Sequence, residues 1–354
     1  MERNDPVTRV LAASVYPMRA ASTRLRIAPV LSALADSAIS SRLCSFVGDE
    51  DLRSWLDGGI RRVGPSARGF ARIGPALRLA ADCDLLLLQR EALPLNNLSI
   101  EKIVAHRRRP IVWDVDDAIW TRPIGHATVQ GGHKKYAWLA RNAQEIWAGS
   151  EYAATWAKSQ GARNVQWVPS TVPVPAVPSS ELDRQPDLLV WIGTPSTGPF
   201  VEALLHDLSD ALAGWRVLVV GAAITVPAGV DVTQVPWSPA AEANALLRAS
   251  VGLYPLDLTH PAVMGKSALK SVLFMANAIP VVATPTQSNR NVMTAGREGY
   301  FASNKAEWRA ALGALRDPAL RRSMGAAGHA HAAASFNTNV WAPQLARRLS
   351  NLLP

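Results

Sequence analysis

Short apolar runs alternate along the chain with longer segments whose apolar residues recur every three or four positions. The runs predict strands buried on both faces, and the longer segments predict helices that cover them. The predicted strands are residues 9–16, 84–89, 110–113, 145–149, 165–168, 188–192, 216–221, 232–235, 251–256 and 279–283. The predicted helices are residues 24–34, 100–106, 133–142, 151–160, 200–212, 239–250, 267–276, 305–315, 318–331 and 341–353. This alternation is typical of parallel sheets in α/β proteins.

The alternation stops once, at a proline- and serine-rich segment between residues 170 and 186, which predicts a linker. The pattern then restarts with a strand and a tight loop, GTPSTG, at residues 193–198. We therefore predict two doubly wound, Rossmann-like domains. The proposed division is residues 1–172, a linker at 173–187, a second domain at 188–335 and a last segment at 336–354. The site is expected in the cleft between the domains, where the carboxyl ends of the strands face each other.

A phosphate site is one interpretation of residues 254–284, YPLDLTHPAVMGKSALKSVLFMANAIPVVAT. Gly265 and Lys266 stand where a loop meets a helix, and Lys270 follows one turn later. The start of a helix exposes unpaired N–H groups and a partial positive charge, which suit a phosphate. Two lysines four residues apart add charge to one helix face. The same spacing also fits a solvated surface helix with two ordinary lysines.

Three carboxylates follow the strand predicted at residues 110–113, in the sequence WDVDDAIW. They are Asp114, Asp116 and Asp117. Carboxylates so close together are costly unless they are solvated, paired or functional, and this end of a strand is where α/β sites lie. A D-x-D string also suggests a divalent metal ion. A chain that supplies lysines for a phosphate needs a metal less, so we expect neither metal nor cofactor.

The net charge of the chain narrows the classes of molecule that it is expected to bind. Its 354 residues carry 37 Lys and Arg against 28 Asp and Glu, a net charge of +9. Such a balance favours anionic partners: nucleic acid, anionic lipid or phosphorylated substrates. The sequence contains no nucleic-acid motif or aromatic–basic platform, which argues against nucleic acid. Two cysteines, Cys44 and Cys83, form no metal or redox spacing and fit a reducing cytosol.

A basic segment at residues 53–78 mixes arginines with apolar residues and has one acidic residue, Asp57. Its arginines are Arg53, Arg61, Arg62, Arg68, Arg72 and Arg78. This composition is typical of surfaces that lie on anionic membranes, and it fits a solvated basic face equally well. The sequence shows no signal peptide and no run of eighteen apolar residues. We expect a cytoplasmic protein, with peripheral contact to the inner face of the membrane as an option.

Several phrases resemble the GT-B glycosyltransferases of the family 4 type. They are VWDVDDAIW (112–120), AGSEYAATWAKSQG (148–161), LLVWIGTPST (188–197), VGLYPLDLTHPAVMGKSALKSVLFMANAIPVVATPTQSNRNVMTAGREGYFAS (251–303) and RDPALRRSMGAAG (316–328). The resemblance implies a GT-B fold whose last helix crosses back to the N-terminal domain. It also implies retaining transfer of a sugar from a nucleotide-sugar donor to a glycan or lipid-linked acceptor without a metal ion. Synthesis of surface polysaccharides or glycoconjugates is the expected setting.

The chain departs from that family at the donor site. Two glutamates that many members carry fall on Gly265 and Leu273, the second being the one that binds the donor ribose. An Arg and a Lys after the first strand of the second domain are replaced by the uncharged loop GTPST. The G-K-x-x-x-K form occurs in a subgroup, so we expect Lys266 and Lys270 to replace these cations. The alternative is an inactive relative that binds a nucleotide or a partner protein.

The candidate site residues fall into three groups. The catalytic candidates are Asp116, Asp117, Lys266 and Lys270. The donor-binding candidates are Gly193, Thr194, Ser196, Thr197, Gly265, Asn289 and Arg290. The acceptor-binding candidates are Ser22, Thr23, Arg24, Trp120, His126 and His133. Competing interpretations are a helix cap for Ser22, a packing residue for Trp120 and surface positions for the histidines.

Overall fold

The computed structural model describes residues 9–56, 67–93, 97–121, 132–176 and 184–354. These residues form two six-stranded sheets in which neighbouring strands run parallel. The first sheet contains β1 (Arg9–Ser14), β2 (Ser40–Ser45), β3 (Leu85–Gln89), β4 (Ile111–Val115), β5 (Glu145–Ala148) and β6 (Val165–Trp167), in the order β2-β1-β3-β4-β5-β6. The second contains β7 (Leu188–Ile192), β8 (Arg216–Val220), β9 (Asp231–Val235), β10 (Val251–Tyr254), β11 (Val281–Ala283) and β12 (Gly299–Phe301), in the order β12-β11-β10-β7-β8-β9. The predicted α/β class with two Rossmann-like halves is confirmed.

Helices connect the strands and cover both sheets. Those of the first half are α1 (Ala28–Asp36), α2 (Asp49–Leu56), α3 (Ala67–Ala71), α4 (Ile73–Asp82), α5 (Ser99–His106), α6 (His133–Asn142) and α7 (Glu151–Ser159). Those of the second half are α8 (Gly198–Asp207), α9 (Pro239–Arg248), α10 (Pro261–Met264), α11 (Leu269–Ala276), α12 (Gln287–Val292), α13 (Lys305–Ala314), α14 (Pro318–Ser335) and α15 (Thr338–Ser350). A π-helical turn, Thr23–Ile27, runs directly into α1.

The central strands follow from their sequences, and the edge strands do not. Strands β3 and β7 are buried at every position because helices cover both faces, so each is a continuous apolar run. Strand β2 has the sequence SSRLCS and lies at a sheet edge, where polar side chains reach solvent. It lacks the apolar run that signals a buried strand. The short edge strand β12 lacks it too, and an added Cβ at its Gly299 would lie 2.0 Å from the carbonyl oxygen of Val281.

Helix α15 packs against α1 and thereby covers the N-terminal sheet. Leu345, Ala346 and Leu349 share a buried cluster with Val10 and other residues of that sheet. The guanidinium of Arg348 also donates to the Glu145 carboxylate at 2.6 Å. The last helix of the chain is therefore part of the first core.

The residue just before the predicted linker is hydrogen-bonded to the start of this last segment. The amide of Val172 donates to the carbonyl of Phe336, and the amide of Thr338 donates to the carbonyl of Val172. Residues 177–183 of the linker lie outside the described residues.

The basic segment predicted at residues 53–78 is described only in part, because residues 57–66 lie outside the described ranges. Within its described part, Phe70 is 53% exposed and packs edge-on against Phe46. In the ranges that the structure describes, every helix is too short or too polar to cross a membrane.

Candidate active site between the two domains

A cavity of about 340 Å³ lies between the carboxyl ends of the two sheets. The N-terminal wall comes from the segments that follow β1, β3 and β4. The C-terminal wall comes from the loop after β7, the start of α9 and the segment from Lys266 to Leu273. The structure brings ten of the predicted site residues to this cavity: Ser22, Arg24, Asp116, Asp117, Gly193, Thr194, Ser196, Thr197, Lys266 and Lys270.

An ion pair joins the two walls. The Nζ of Lys266 donates to Oδ2 of Asp117 at 2.9 Å, and the backbone amide of Ser267 donates to Oδ1 at 2.9 Å. Burial by itself raises the pKa of a carboxyl group, but Lys266, Arg90 and these hydrogen bonds outweigh it and lower the pKa of Asp117 to about 2. The Asp117 carboxylate thus stays charged just before the start of α11, where a helix attracts anions.

The pKa of the Asp116 carboxyl group shifts in the opposite direction to that of Asp117. Asp116 is 7% exposed, and its burial raises the pKa of its carboxyl group. The charge of Arg90 opposes this rise, with its Nε 4.0 Å from Oδ1 of Asp116, while the charge of Asp117 adds to it. A carboxyl group with a raised pKa at a cavity can exchange a proton with a bound hydroxyl group.

The third carboxylate of the predicted cluster has a structural role. Asp114 lies within β4 and is 1% exposed. The Nε of Arg26 donates to its Oδ2 at 2.9 Å, and Arg26 also donates to the carbonyl oxygens of Val168 and Pro169. This buried pair fixes the π-helical turn against the sheet and leaves Asp116 and Asp117 as the carboxylates of this wall.

Lys270 lies on the C-terminal wall, and in the described part of the chain it forms no ion pair. Its Nζ lies 5.5 Å from the ring centroid of Trp191 and 5.4 Å from that of Tyr254. Burial and the charge of Lys266 lower the pKa of Lys270 to about 7. An anion in the cavity would stabilise the charged form of this amine.

The loop after β7 offers hydroxyl groups in place of charge. The Oγ atoms of Thr194 and Ser196 lie 2.9 Å apart, and the Thr197 hydroxyl donates to the carbonyl of Thr194 at 3.2 Å. An added Cβ at Gly193 would lie 2.2 Å from the side chain of Trp191, so the loop requires glycine there. The loop ends at the start of α8 and presents N–H and O–H donors to the cavity.

Three predicted donor residues do not line the cavity. Asn289 is fully buried, accepting from the Ser271 hydroxyl at 2.9 Å and donating to the carbonyl of Thr284 at 2.8 Å. Arg290 is exposed and lies over the ring of Phe301. The donor assignment of Asn289 and Arg290 is corrected accordingly, because one side chain points into the core and the other lies on an aromatic ring.

Gly265 is a contact between the domains. Its carbonyl accepts from the amide of Ala118 at 3.2 Å and from the hydroxyl of Ser150 at 3.3 Å. An added Cβ would lie 2.2 Å from the Cβ of Ala118. The donor assignment of Gly265 is therefore corrected too, and the position cannot hold a glutamate in this arrangement.

Some of the predicted acceptor residues line the cavity and others do not. Ser22 lines the cavity and makes no capping hydrogen bond. Arg24 also lines it, with Nη2 3.4 Å from Oε1 of Glu242. Thr23 is fully buried and donates to the carbonyl of Tyr16 at 3.1 Å, so it holds the loop and its acceptor assignment is corrected.

The aromatic and histidine candidates lie away from the cavity lining. Trp120 stacks on Trp156 with ring centroids 3.8 Å apart, and His133 meets Trp156 edge-on at 5.6 Å. These contacts are packing within the N-terminal domain, and they correct the acceptor assignment of both residues. His126 lies outside the described residues.

Sequence reasoning missed several residues of the cavity, among them Arg90, Trp237 and Glu242. Arg90 follows β3 with a φ of +61°, a left-handed conformation that is strained for arginine. The position of Arg90 directly after a buried strand is the sequence feature that could have identified it as a site residue. Among the described residues, no group of three or more His, Cys, Asp or Glu is placed to hold a metal ion.

Comparisons with known proteins agree with this architecture. Residues 197–347 match the model of a family described as glycosyl transferase-like. A comparison with curated proteins finds no match. HepE from Anabaena, solved with UDP and glucose, is 14% identical with a TM-score of 0.69 over 97% of this chain and 100% of its own.

Two further solved structures have the same fold. Sucrose-phosphate synthase from Thermosynechococcus elongatus is 13% identical with a TM-score of 0.69, over 98% of this chain and 99% of its own. A glycosyltransferase from Rickettsia africae is 9% identical with a TM-score of 0.66, over 98% of both chains. At these identities the likeness shows the fold, which is GT-B. The fold and the matched domain together support a glycosyltransferase.

Proposed function

We propose that this chain is a retaining glycosyltransferase of the family 4 type, with the G-K-x-x-x-K donor motif. It moves a sugar from a nucleotide-sugar donor to a glycan or lipid-linked acceptor in the synthesis of surface polysaccharides or glycoconjugates. The observation that carries the proposal is the cavity in which Lys266 and Lys270 face Asp116 and Asp117 across the two domains. The similar HepE structures hold UDP or UDP-glucose, which supports a nucleotide-sugar donor.

The C-terminal wall supplies what the leaving group needs. When the bond between sugar and diphosphate breaks, negative charge grows on the diphosphate oxygens. Lys270, the start of α11 and the hydroxyl loop after β7 present donors to that charge, and one well-placed donor is worth about 3 kcal/mol. Lys266 joins them when the diphosphate competes with Asp117 for its ammonium group. The lysines take the place of a metal ion, and no cofactor is needed.

The N-terminal wall handles the sugar and the acceptor. Asp116 has a raised pKa and faces the cavity, so it can orient or deprotonate the attacking hydroxyl group. Ser22 and Arg24 lie beside it on the same wall as polar contacts for the acceptor. We place the protein in the cytoplasm. The net charge of +9 and the exposed Phe70 support peripheral contact with an anionic inner membrane face.

The substitution Lys266→Ala tests the proposed donor site. Purified protein is first screened against a panel of nucleotide sugars by thermal shift, because a bound donor raises the unfolding temperature. Sugar transfer from the best donor is then measured. We expect Lys266→Ala to abolish transfer while the protein stays folded, because one cation of the leaving-group site is lost. The exposed Lys158→Ala is the matched control and should keep full activity. Full activity in Lys266→Ala would rule out this role.

The main alternative is an inactive relative that binds a nucleotide or a partner protein in the same cleft. Leu273 and Gly265 stand where many family members carry glutamates, which is the observation in its favour. The same screen separates the two functions. Donor hydrolysis or transfer by the wild-type protein excludes the alternative, and nucleotide binding without either reaction supports it.

A further inference from the structure

The nucleoside half of the donor lacks one expected ligand on helix α11. The position of the family's ribose-binding glutamate is Leu273, which lines the cavity and cannot accept a hydrogen bond. A ribose presents two neighbouring hydroxyl groups, and one carboxylate can accept hydrogen bonds from both. If the proposed function holds, on which this inference rests, another carboxylate on the C-terminal wall must do so.

The strand order of the second sheet indicates where the nucleoside lies. Strands β10, β7, β8 and β9 are neighbours in that sequence. Lys266 and Lys270 follow β10, the hydroxyl loop follows β7, and Trp237 and Glu242 follow β9. With the sugar at Asp116 and the diphosphate at Lys270 and the hydroxyl loop, the nucleoside extends toward β8 and β9.

Glu242 stands at that end with its carboxylate already oriented. Among the described residues that line the cavity, it is the one carboxylate contributed by the C-terminal domain. Its side chain is 16% exposed, and Oε2 accepts from Nε1 of Trp237 at 2.9 Å. The contact of Oε1 with Nη2 of Arg24 is longer, 3.4 Å, and therefore weak. A ribose hydroxyl group can replace or share this weak contact.

The groups around Glu242 suit a nucleoside as well. Arg24 offsets the negative charge of Glu242, which reduces its repulsion of the diphosphate. The ring of Trp237 is half-buried at the cavity, with the Arg24 guanidinium 5.6 Å from its centroid, so a base that stacks on this ring shares it with Arg24. We infer that Glu242 is the ribose ligand of this protein. The ribose hydroxyl groups are therefore bound by a residue of helix α9 and not by one of α11. This contact makes the site selective for ribonucleotide over 2′-deoxyribonucleotide donors.

The inference is tested by titration calorimetry of the full chain with UDP, GDP and ADP and with their 2′-deoxy counterparts. The wild-type protein should bind its preferred ribonucleotide about 10- to 100-fold more tightly than the deoxy form, since a hydrogen bond to a charged group is lost. In Glu242→Gln this preference should fall below about threefold. The glutamine oxygen still accepts from Trp237, so the variant keeps the local packing.

Two controls separate this role from general effects. Glu151→Gln removes an exposed glutamate from the first turn of α7 and should leave the preference unchanged. Arg24→Met breaks the ion pair but keeps the carboxylate, so the preference for ribose should remain.

Two outcomes would overturn the inference, and they differ in what else they overturn. An undiminished ribose preference in Glu242→Gln, or equal wild-type affinity for both forms, overturns the ribose role alone. Failure of the wild-type protein to bind any of the six nucleotides overturns the proposed function together with this inference.

Discussion

The N-terminal wall of the cavity presents two neighbouring carboxyl groups, Asp116 and Asp117, to two lysines of the C-terminal wall, Lys266 and Lys270. One member of each pair, Asp117 and Lys266, forms an ion pair across the cleft. The remaining two have shifted toward their neutral forms, because the pKa of Asp116 is raised and that of Lys270 is lowered to about 7. Asp116 and Asp117 are adjacent in the chain, yet their pKa values move in opposite directions.

The difference between these neighbours comes from their partners. Burial disfavours the charged form of both carboxyl groups, and it prevails where no close cation opposes it. Asp117 has the Lys266 ammonium at 2.9 Å, whereas the nearest cation of Asp116, Arg90, lies at 4.0 Å. Environments that separate two pKa values in this way separate the tasks of the groups. The paired residues contribute to the contact between the walls, and Asp116 and Lys270 are left to respond to a substrate.

The largest effect is expected from Asp116→Asn, which removes a carboxyl group with a raised pKa from the N-terminal wall. An amide cannot take up the acceptor proton, so we expect kcat to fall about 10²- to 10⁴-fold. Donor affinity should change little, because the diphosphate site that we propose is on the opposite wall. Steady-state kinetics of sugar transfer and titration calorimetry with the donor measure the two quantities.

The control for this substitution is Asp36→Asn, an exposed carboxylate at the end of α1. It should leave both kcat and donor affinity unchanged. A wild-type kcat in Asp116→Asn would remove the proposed division of tasks between Asp116 and Asp117.

Much of the fold could be predicted from the sequence, because buried parallel strands are written as apolar runs. The strands around β3, β4, β7 and β10 follow this rule, as do the helix starts capped by Ser150 and Ser238. The polar edge strand β2 does not. The directions in which the side chains of Thr23 and Asn289 point could not be predicted from the sequence either. Polar residues near a predicted site point inward here, and their sequence spacing does not distinguish a buried hydrogen bond from a ligand contact.

The sequence predicts candidate residues of the site, but it does not show which of these residues contact each other. Asp117 and Lys266 are 149 positions apart in the chain, so no local pattern reveals their ion pair. Glu242 carries no motif and reaches the cavity because α9 follows β9 at the carboxyl edge of the sheet. Sequence reasoning found the two charged walls, and the contacts between them came from the tertiary fold.

A second, smaller effect is expected from Asp117→Asn, which breaks the ion pair across the cleft. A carboxyl group with a pKa of about 2 in the folded protein, against about 3.9 unfolded, stabilises folding by about 2.6 kcal/mol at neutral pH. This contribution is fully present above the unfolded pKa and is lost as the pH falls toward 2. The stability difference between wild type and variant should therefore shrink between pH 4 and pH 2.

Urea unfolding at a series of pH values measures this difference, with Asp36→Asn as the control that should show none. A difference that stays constant down to pH 2 would mean that the Asp117 carboxylate gains nothing from Lys266. The ion pair would then add nothing to the contact between the walls.

The smallest effect is expected from Lys270. It is a dependence of UDP affinity on pH that follows from the lowered pKa of the Lys270 amine. In the free protein, about half of the Lys270 amines carry a proton at pH 7, because the pKa is about 7. A bound diphosphate favours the charged form and raises this pKa, so binding above pH 7 requires uptake of a proton. The affinity for UDP should then fall by up to about tenfold per pH unit between pH 7 and pH 9, or about 1.4 kcal/mol.

Titration calorimetry in two buffers with different heats of ionisation measures this proton uptake directly. Lys270→Arg is the matched variant, because a guanidinium stays charged throughout this range. Its UDP affinity should be independent of pH from 7 to 9, with no proton uptake. Equal wild-type affinity at pH 7 and pH 9 would place Lys270 outside the diphosphate site. Among the described residues that line this wall, Lys266, which is already paired with a carboxylate, would then be the one lysine left to bind the diphosphate.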